Sequence, residues 1–208
     1  MFNIVNFSLD IDGEPFFTDL SFTLEKGKLH FLRGKNGSGK STLFRALDRE
    51  LPSNYVDQDV QKMMSGLFTF EENLQFAAFG RKPSLWKKPI ATVYIPSFEI
   101  GIDRNAKVEL LSGGQKQILS LLMALQKPTE ILLLDEPTAA LDFANSHMVM
   151  AFLQGLTEKE GLTLFVICHD DDLIEKYVTG SVFTLEDREL FEAPHRCPSA
   201  QREKEDVL

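Results

Sequence analysis

Gly34-Lys35-Asn36-Gly37-Ser38-Gly39-Lys40-Ser41-Thr42 decides how the rest of this sequence is read. The run matches the pattern G-x-x-x-x-G-K-[ST]. Its glycines let the backbone curl so that successive N–H groups face one anion. The helix that follows adds the positive end of its dipole. Lys40 can reach the terminal phosphates of a bound chain, and the Ser41 hydroxyl can ligate Mg²⁺. The flanks agree. Leu29 to Arg33 is a short, largely apolar strand. From Lys40 onward, Leu43, Phe44 and Leu47 recur at helical spacing until Pro52 stops the helix. Strand, glycine loop and helix in this order predict an α/β protein that cradles a phosphate chain.

Upstream, Phe7, Leu9 and Ile11 alternate with Ser8, Asp10 and Asp12. Asp12-Gly13 reads as a turn, and Leu20, Phe22 and Leu24 alternate with Ser21, Thr23 and Glu25. The pattern predicts an antiparallel hairpin. Downstream, residues 55 to about 110 lack a regular period. Phe68, Phe70, Leu74, Phe76 and Phe79 are apolar, while Pro83, Pro89 and Pro96 interrupt. This segment reads as part of a small, mainly helical subdomain over about residues 60–125, closed by the helix face of Ile118, Leu119, Leu122, Met123 and Leu125. Ile131–Leu134 is a continuous apolar run, as in a strand buried on both faces. A helix around Ser146–Leu156, a strand at Leu164–Cys168, a helix at Asp170–Tyr177 and a hairpin of Val182–Leu185 with Glu189–Phe191 follow. Residues 1–193 read as one domain, and residues 194–208 as a loose tail.

Two carboxylates, Asp135 and Glu136, end the apolar strand Ile131–Leu134. An acid at the tip of a buried strand beside a phosphate loop is the Walker B arrangement. Asp135 would hold Mg²⁺, directly or through water. Glu136 would orient and partly deprotonate an attacking water. Composition narrows the classes further. The 208 residues carry 22 Lys and Arg against 31 Asp and Glu, a net charge of −9. That balance disfavours nucleic acid as a general partner. Two cysteines, Cys168 and Cys197, make no disulfide framework, so a reduced, cytoplasmic setting is expected. The N-terminus lacks a basic region and an apolar stretch, which argues against a signal peptide. The longest apolar runs fall short of the roughly 20 residues a membrane span needs.

Leu111-Ser112-Gly113-Gly114-Gln115, between the two motifs above, points to a family. The chain resembles the ATP-binding cassette (ABC) ATPases, whose signature is L-S-G-G-Q in that position. The resemblance runs from about Phe7 to Phe191. It implies a P-loop NTPase fold: a RecA-like parallel core, an N-terminal antiparallel β subdomain and a small helical subdomain. It also implies ATP with Mg²⁺, and two domains paired head to tail. Gly34, Asn36, Gly37, Ser38, Gly39, Lys40, Ser41 and Thr42 would then hold ATP in one chain. Ser112, Gly113, Gly114 and Gln115 would meet the ATP held by the other, through a small-residue helix N-terminus. Asp142, in Ala139-Ala140-Leu141-Asp142, matches the D-loop and would be a second contact across the dimer. His169 stands where the family has its switch histidine. Gln58 matches the glutamine that senses Mg²⁺ and the water, with Gln61 as a competing candidate. Lys40, Gln58, Glu136 and His169 form the implied catalytic set, and Ser41, Gln58 and Asp135 the metal set. Ile11 stands where the family has an aromatic that stacks on adenine, with Phe16 and Phe7 as substitutes. His30, His147 and His195 match no motif and read as structural.

Two readings follow from the resemblance. In one the chain powers a membrane transporter whose spanning subunits are separate. It then works on the cytoplasmic face, paired with itself or a paralogue. In the other it is a soluble ABC ATPase acting on DNA, ribosomes or another protein complex. One cassette, no heptad run and a net charge of −9 favour the first. The resemblance also implies that a spanning chain docks beside Gln58, on residues 62–80. Met63, Met64, Leu67, Phe68, Phe70, Phe76 and Phe79 crowd that stretch.

Overall fold

The computed structural model describes residues 1–58, 64–79 and 93–193. Its centre is a six-stranded sheet in the order β4-β5-β6-β3-β7-β8. Strands β3 (Leu29–Arg33), β4 (Ser53–Val56), β5 (Ile131–Asp135), β6 (Thr163–Ile167) and β7 (Val182–Glu186) run parallel. Only β8 (Glu189–Ala193) is antiparallel, at one edge. The turn before it, Asp187-Arg188, has both residues at positive φ, as a two-residue hairpin loop requires.

Side chains of the parallel strands divide by the period of two. Ile131 and Leu133 of β5 enter one core with Phe165 and Ile167 of β6. Leu132 and Leu134 enter the other with Leu164 and Val166. Helix α1 (Lys40–Glu50) covers the first face with Leu43, Phe44 and Leu47. Against it lies the hairpin of β1 (Phe2–Ile11) and β2 (Glu14–Leu24), which contributes Ile4, Phe7, Phe17, Leu20 and Phe22. That hairpin is not regular. Asn6 and Asp19 sit at positive φ, and their amides donate to the hydroxyls of Ser21 and Ser8 at 3.0 Å each. These breaks keep the apolar residues inward across register shifts.

The second face is covered by α2 (Phe70–Phe79), α3 (Gly113–Ala124), α4 (Phe143–Glu160) and α5 (Asp171–Tyr177). Phe70 and Leu74 of α2 and Ile118, Leu121 and Leu122 of α3 join the same core as the sheet. Residues 93–107 run without a helix, and a single 3₁₀ turn, Val108–Leu110, leads into α3. The segment expected to be mainly helical is therefore helical only in α2 and α3 among the described residues. β4 is an addition to the sequence reading, which placed no strand there. It is four residues long, pairs on one side only among the described residues, and buries Val56 alone. So short an edge strand carries no alternation to read.

Strand direction fixes where chemistry can occur. The glycine loop follows β3, Asp135 and Glu136 end β5, and residue 169 follows β6. All three leave the carboxyl ends of neighbouring parallel strands, the edge at which open α/β sheets bind ligands. The expected tail, together with His195, Cys197, Gln61 and Met63, lies outside the described residues.

Candidate active site

Gly34 opens the loop at φ 154°, against the β7 strand. The loop wraps Lys40, which is only 6% exposed. Its Nζ donates to the carbonyls of Gly34 and Lys35, at 2.9 Å each. Burial lowers the pKa of this ammonium, while Glu136 and Asp135 nearby pull it back up. The Ser38 hydroxyl is buried without a hydrogen-bond partner among the described residues. A buried polar atom left open in a glycine-rich loop of this pattern is what a phosphate oxygen would satisfy. Beside the loop is a cavity of about 660 Å³, lined by Gly34 to Ser38, Phe16, His169 and the β7–β8 turn. That volume suits a mononucleotide-sized ligand.

The acids close the site from β5. Tyr55 of β4 donates its hydroxyl to Asp135 Oδ2 at 2.8 Å. Burial and the adjoining carboxylate push the tyrosine pKa up, so it stays a donor. Glu136 has φ 49°, a left-handed conformation unusual for a side chain of its size. Its two oxygens are both engaged. Gln58 Nε2 donates to Oε2 at 3.0 Å, and His169 Nε2 lies 3.1 Å from Oε1. The structure thus brings Gln58, Glu136 and His169 together from three different strand ends. Ser41, Gln58 and Asp135 offer a hydroxyl, an amide oxygen and a carboxylate. Oxygen donors of this kind, few in number, fit Mg²⁺, which keeps waters and substrate phosphates as its other ligands.

Ser112, Gly113, Gly114, Gln115 and Asp142 form a second cluster. Ser112 caps α3: its hydroxyl accepts from Gln115 N at 3.2 Å, and Gln115 Oε1 accepts from Ser112 N at 3.0 Å. Asp142 caps α4 by accepting from Asn145 N at 2.8 Å. The candidate base contacts separate. Phe7 is 5% exposed and packed in the core, so it offers no ring face. Ile11 is 38% exposed and borders a cleft of about 260 Å³ shared with Thr42 and Arg45. Phe16 lines the larger cavity, with the Arg188 guanidinium 4.8 Å above its ring. Tyr55, Asn145 and Arg188 were not foreseen. Each has a partner in a distant part of the chain (Asp135 for Tyr55, Ser112 for Asn145, Pro15 for Arg188), and no local pattern marks them.

Comparison with known proteins gives a consistent picture. The family model described as ABC transporter matches residues 17–139. The arabinose import ATP-binding protein AraG of Rhizobium johnstonii is 30% identical over 98% of this chain and 45% of its own length. The iron(3+)-hydroxamate import ATP-binding protein FhuC of Bacillus subtilis is 32% identical over 73% of this chain and 66% of its own. The chain spans 36% to 45% of the length of its Vibrio and Rhizobium relatives. Among solved structures, the dimeric post-hydrolysis state of the ATP-binding cassette MJ0796, bound to ADP and Pi, superposes with a TM-score of 0.64. It is 21% identical, and the match covers 93% of this chain and 97% of that one. That likeness concerns the fold.

Proposed function

This chain belongs to the ABC transporter family, and from that premise we propose that it binds MgATP and hydrolyses it to drive a membrane transporter whose spanning chains are separate. One observation carries the reading. Glu136 stands at the end of β5 between Gln58 and His169, beside the loop that holds Lys40. The glycine loop grips the phosphate chain with backbone amides, and the Ser38 hydroxyl gains its missing partner. Lys40 exchanges two carbonyls for phosphate oxygens and offsets the charge that builds up in the transition state. Ser41, Gln58 and Asp135 would hold Mg²⁺, which would supply further charge neutralisation. Glu136 takes a proton from water, whose oxygen bonds to the γ-phosphorus as the bond to ADP breaks. Gln58 and His169 hold Glu136 and that water in line.

Two copies, or one copy and a paralogue, would clasp two MgATP head to tail. Ser112 to Gln115 and Asp142 of each chain would face the nucleotide of the other. The spanning chain would dock on residues 62–80, placing this protein on the cytoplasmic face of a membrane. Phe76 and Ala77 support that position, since they line a groove of about 530 Å³ with Tyr55 and Met123.

The test is Glu136→Gln. The amide keeps the shape and removes the base, so turnover should fall by about 10²-fold or more while ATP binding persists. With MgATP the variant should accumulate as a dimer in sedimentation, because the closed state no longer decays. Turnover near the wild-type rate would remove Glu136 from the base role.

A further inference from the structure

The N-termini of α3 and α4 meet at one side chain, Asn145. Its Oδ1 accepts from the Ser112 hydroxyl at 3.0 Å and from Gly114 N at 3.3 Å. Its Nδ2 donates to Asp142 Oδ2 at 3.0 Å. The approach is close enough to dictate a neighbour. A Cβ on Gly114 would lie 2.7 Å from Asn145 Oδ1 and 3.1 Å from Asn145 Cβ, so any larger residue there would displace the Asn145 side chain. Among side chains this short only a carboxamide carries its acceptor and its donor on separate atoms. Aspartate would face the Asp142 carboxylate with another acceptor.

We propose that Asn145 is a positioning residue that couples Ser112 to Asp142, so that each chain presents both to its partner's nucleotide as one unit. The inference rests on the head-to-tail reading above. Ser112 has one hydroxyl hydrogen, and Asn145 takes it. To donate that hydrogen to a phosphate oxygen, Ser112 must turn from Asn145. Oδ1 is then left with Gly114 N alone, and the carboxamide shifts against Asp142. What happens at Ser112 is therefore felt at Asp142.

A double-mutant cycle reads this coupling directly. In a Glu136→Gln background, the MgATP-driven dimer dissociation constant is measured for Ser112→Ala, Asp142→Asn and both together. With Asn145 present, the combined effect should depart from the product of the single effects by about fivefold or more, as for residues sharing one hydrogen-bond network. With Asn145→Ala the effects should multiply within about twofold, as for independent sites. Asn145→Leu should behave the same way. It is close to asparagine in shape, removes both the acceptor that faces Ser112 and the donor to Asp142, and serves if the alanine variant fails to fold. A purely structural role would lower the unfolding temperature and leave the coupling in place. Coupling that survives both Asn145 changes, or is missing when Asn145 is present, overturns the proposal. A Glu136→Gln chain that stays monomeric with MgATP overturns the dimer reading, and this inference with it.

Discussion

A side chain at Gly34 has nowhere to go. Its Cβ would press on the carbonyl oxygen of Leu185, a backbone atom of β7 that cannot swing aside. Its φ of 154° adds strain for any other residue. Gly34→Ala should therefore cost about 2 kcal/mol or more of stability, in the upper range of single substitutions. It should also weaken nucleotide binding, because the loop must move to relieve the clash. Thermal unfolding and titration with a fluorescent ATP analogue would show both effects. A variant with unchanged unfolding temperature and affinity would mean the loop tolerates the shift. The glycine pattern was visible in the sequence. That β7 is the wall behind Gly34 was not, because Leu185 lies far along the chain and only sheet order places it there.

Among the elements, β3 shows how a buried polar group holds neighbours in place. His30 is fully buried. Its Nε2 faces the carbonyl of Glu25 at 3.0 Å, and Nδ1 accepts from Ser181 N at 2.9 Å. One ring thus ties the turn before β3 to the start of β7 in its neutral form. Burial lowers its pKa, outweighing the opposing pull of the Glu25 carbonyl. The unfolded chain then takes up a proton near the ordinary histidine value of 6.5 before the folded chain does. The stabilising effect is complete above that pH and is lost as pH falls through the folded pKa. His30→Gln should be less stable than the parent at pH 7.5, yet lose less stability on going to pH 5.5. Urea unfolding at the two pH values checks this. Equal losses for both proteins would remove His30 as the cause. β4 makes the opposite point about legibility. Its pairing with β5 delivers Tyr55 to Asp135, yet three half-buried residues and one buried one gave no period to detect.

At the scale of the whole molecule, the apolar stretch near Gln58 divides by position. Phe70 and Leu74 are fully buried in the shared core, while Leu67, Phe76 and Phe79 remain exposed at 81%, 41% and 42%. The crowding of aromatic residues that suggested docking was thus partly a core signal. Phe76 is the informative position, because it borders the groove and does not hold the core. Phe76→Asp should change stability by about 0.5 kcal/mol or less, as at an ordinary surface site. It should abolish co-purification with the spanning chain. Phe70→Asp should unfold the protein, since an unpaired charge would enter the core. Normal assembly of a folded Phe76→Asp chain would end the docking reading.

The sequence by itself determined the strand–loop–helix unit around Lys40, the apolar β5 ending in Asp135 and Glu136, and the signature at Ser112–Gln115. Each is local: its residues are neighbours in the chain, so spacing and residue type carry the whole signal. The tertiary structure alone decided what lies between them. Gln58, Glu136 and His169 follow the ends of different strands, and they meet because the sheet sets β4, β5 and β6 side by side. Phe7 was removed as a base contact because the hairpin turns it into the core. Asn145, a plain polar residue one turn into a helix, took on meaning only when α3 and α4 brought their N-termini to the same point. Contacts made across the sheet depend on strand order and on helix packing, and neither leaves a mark in the neighbouring residues.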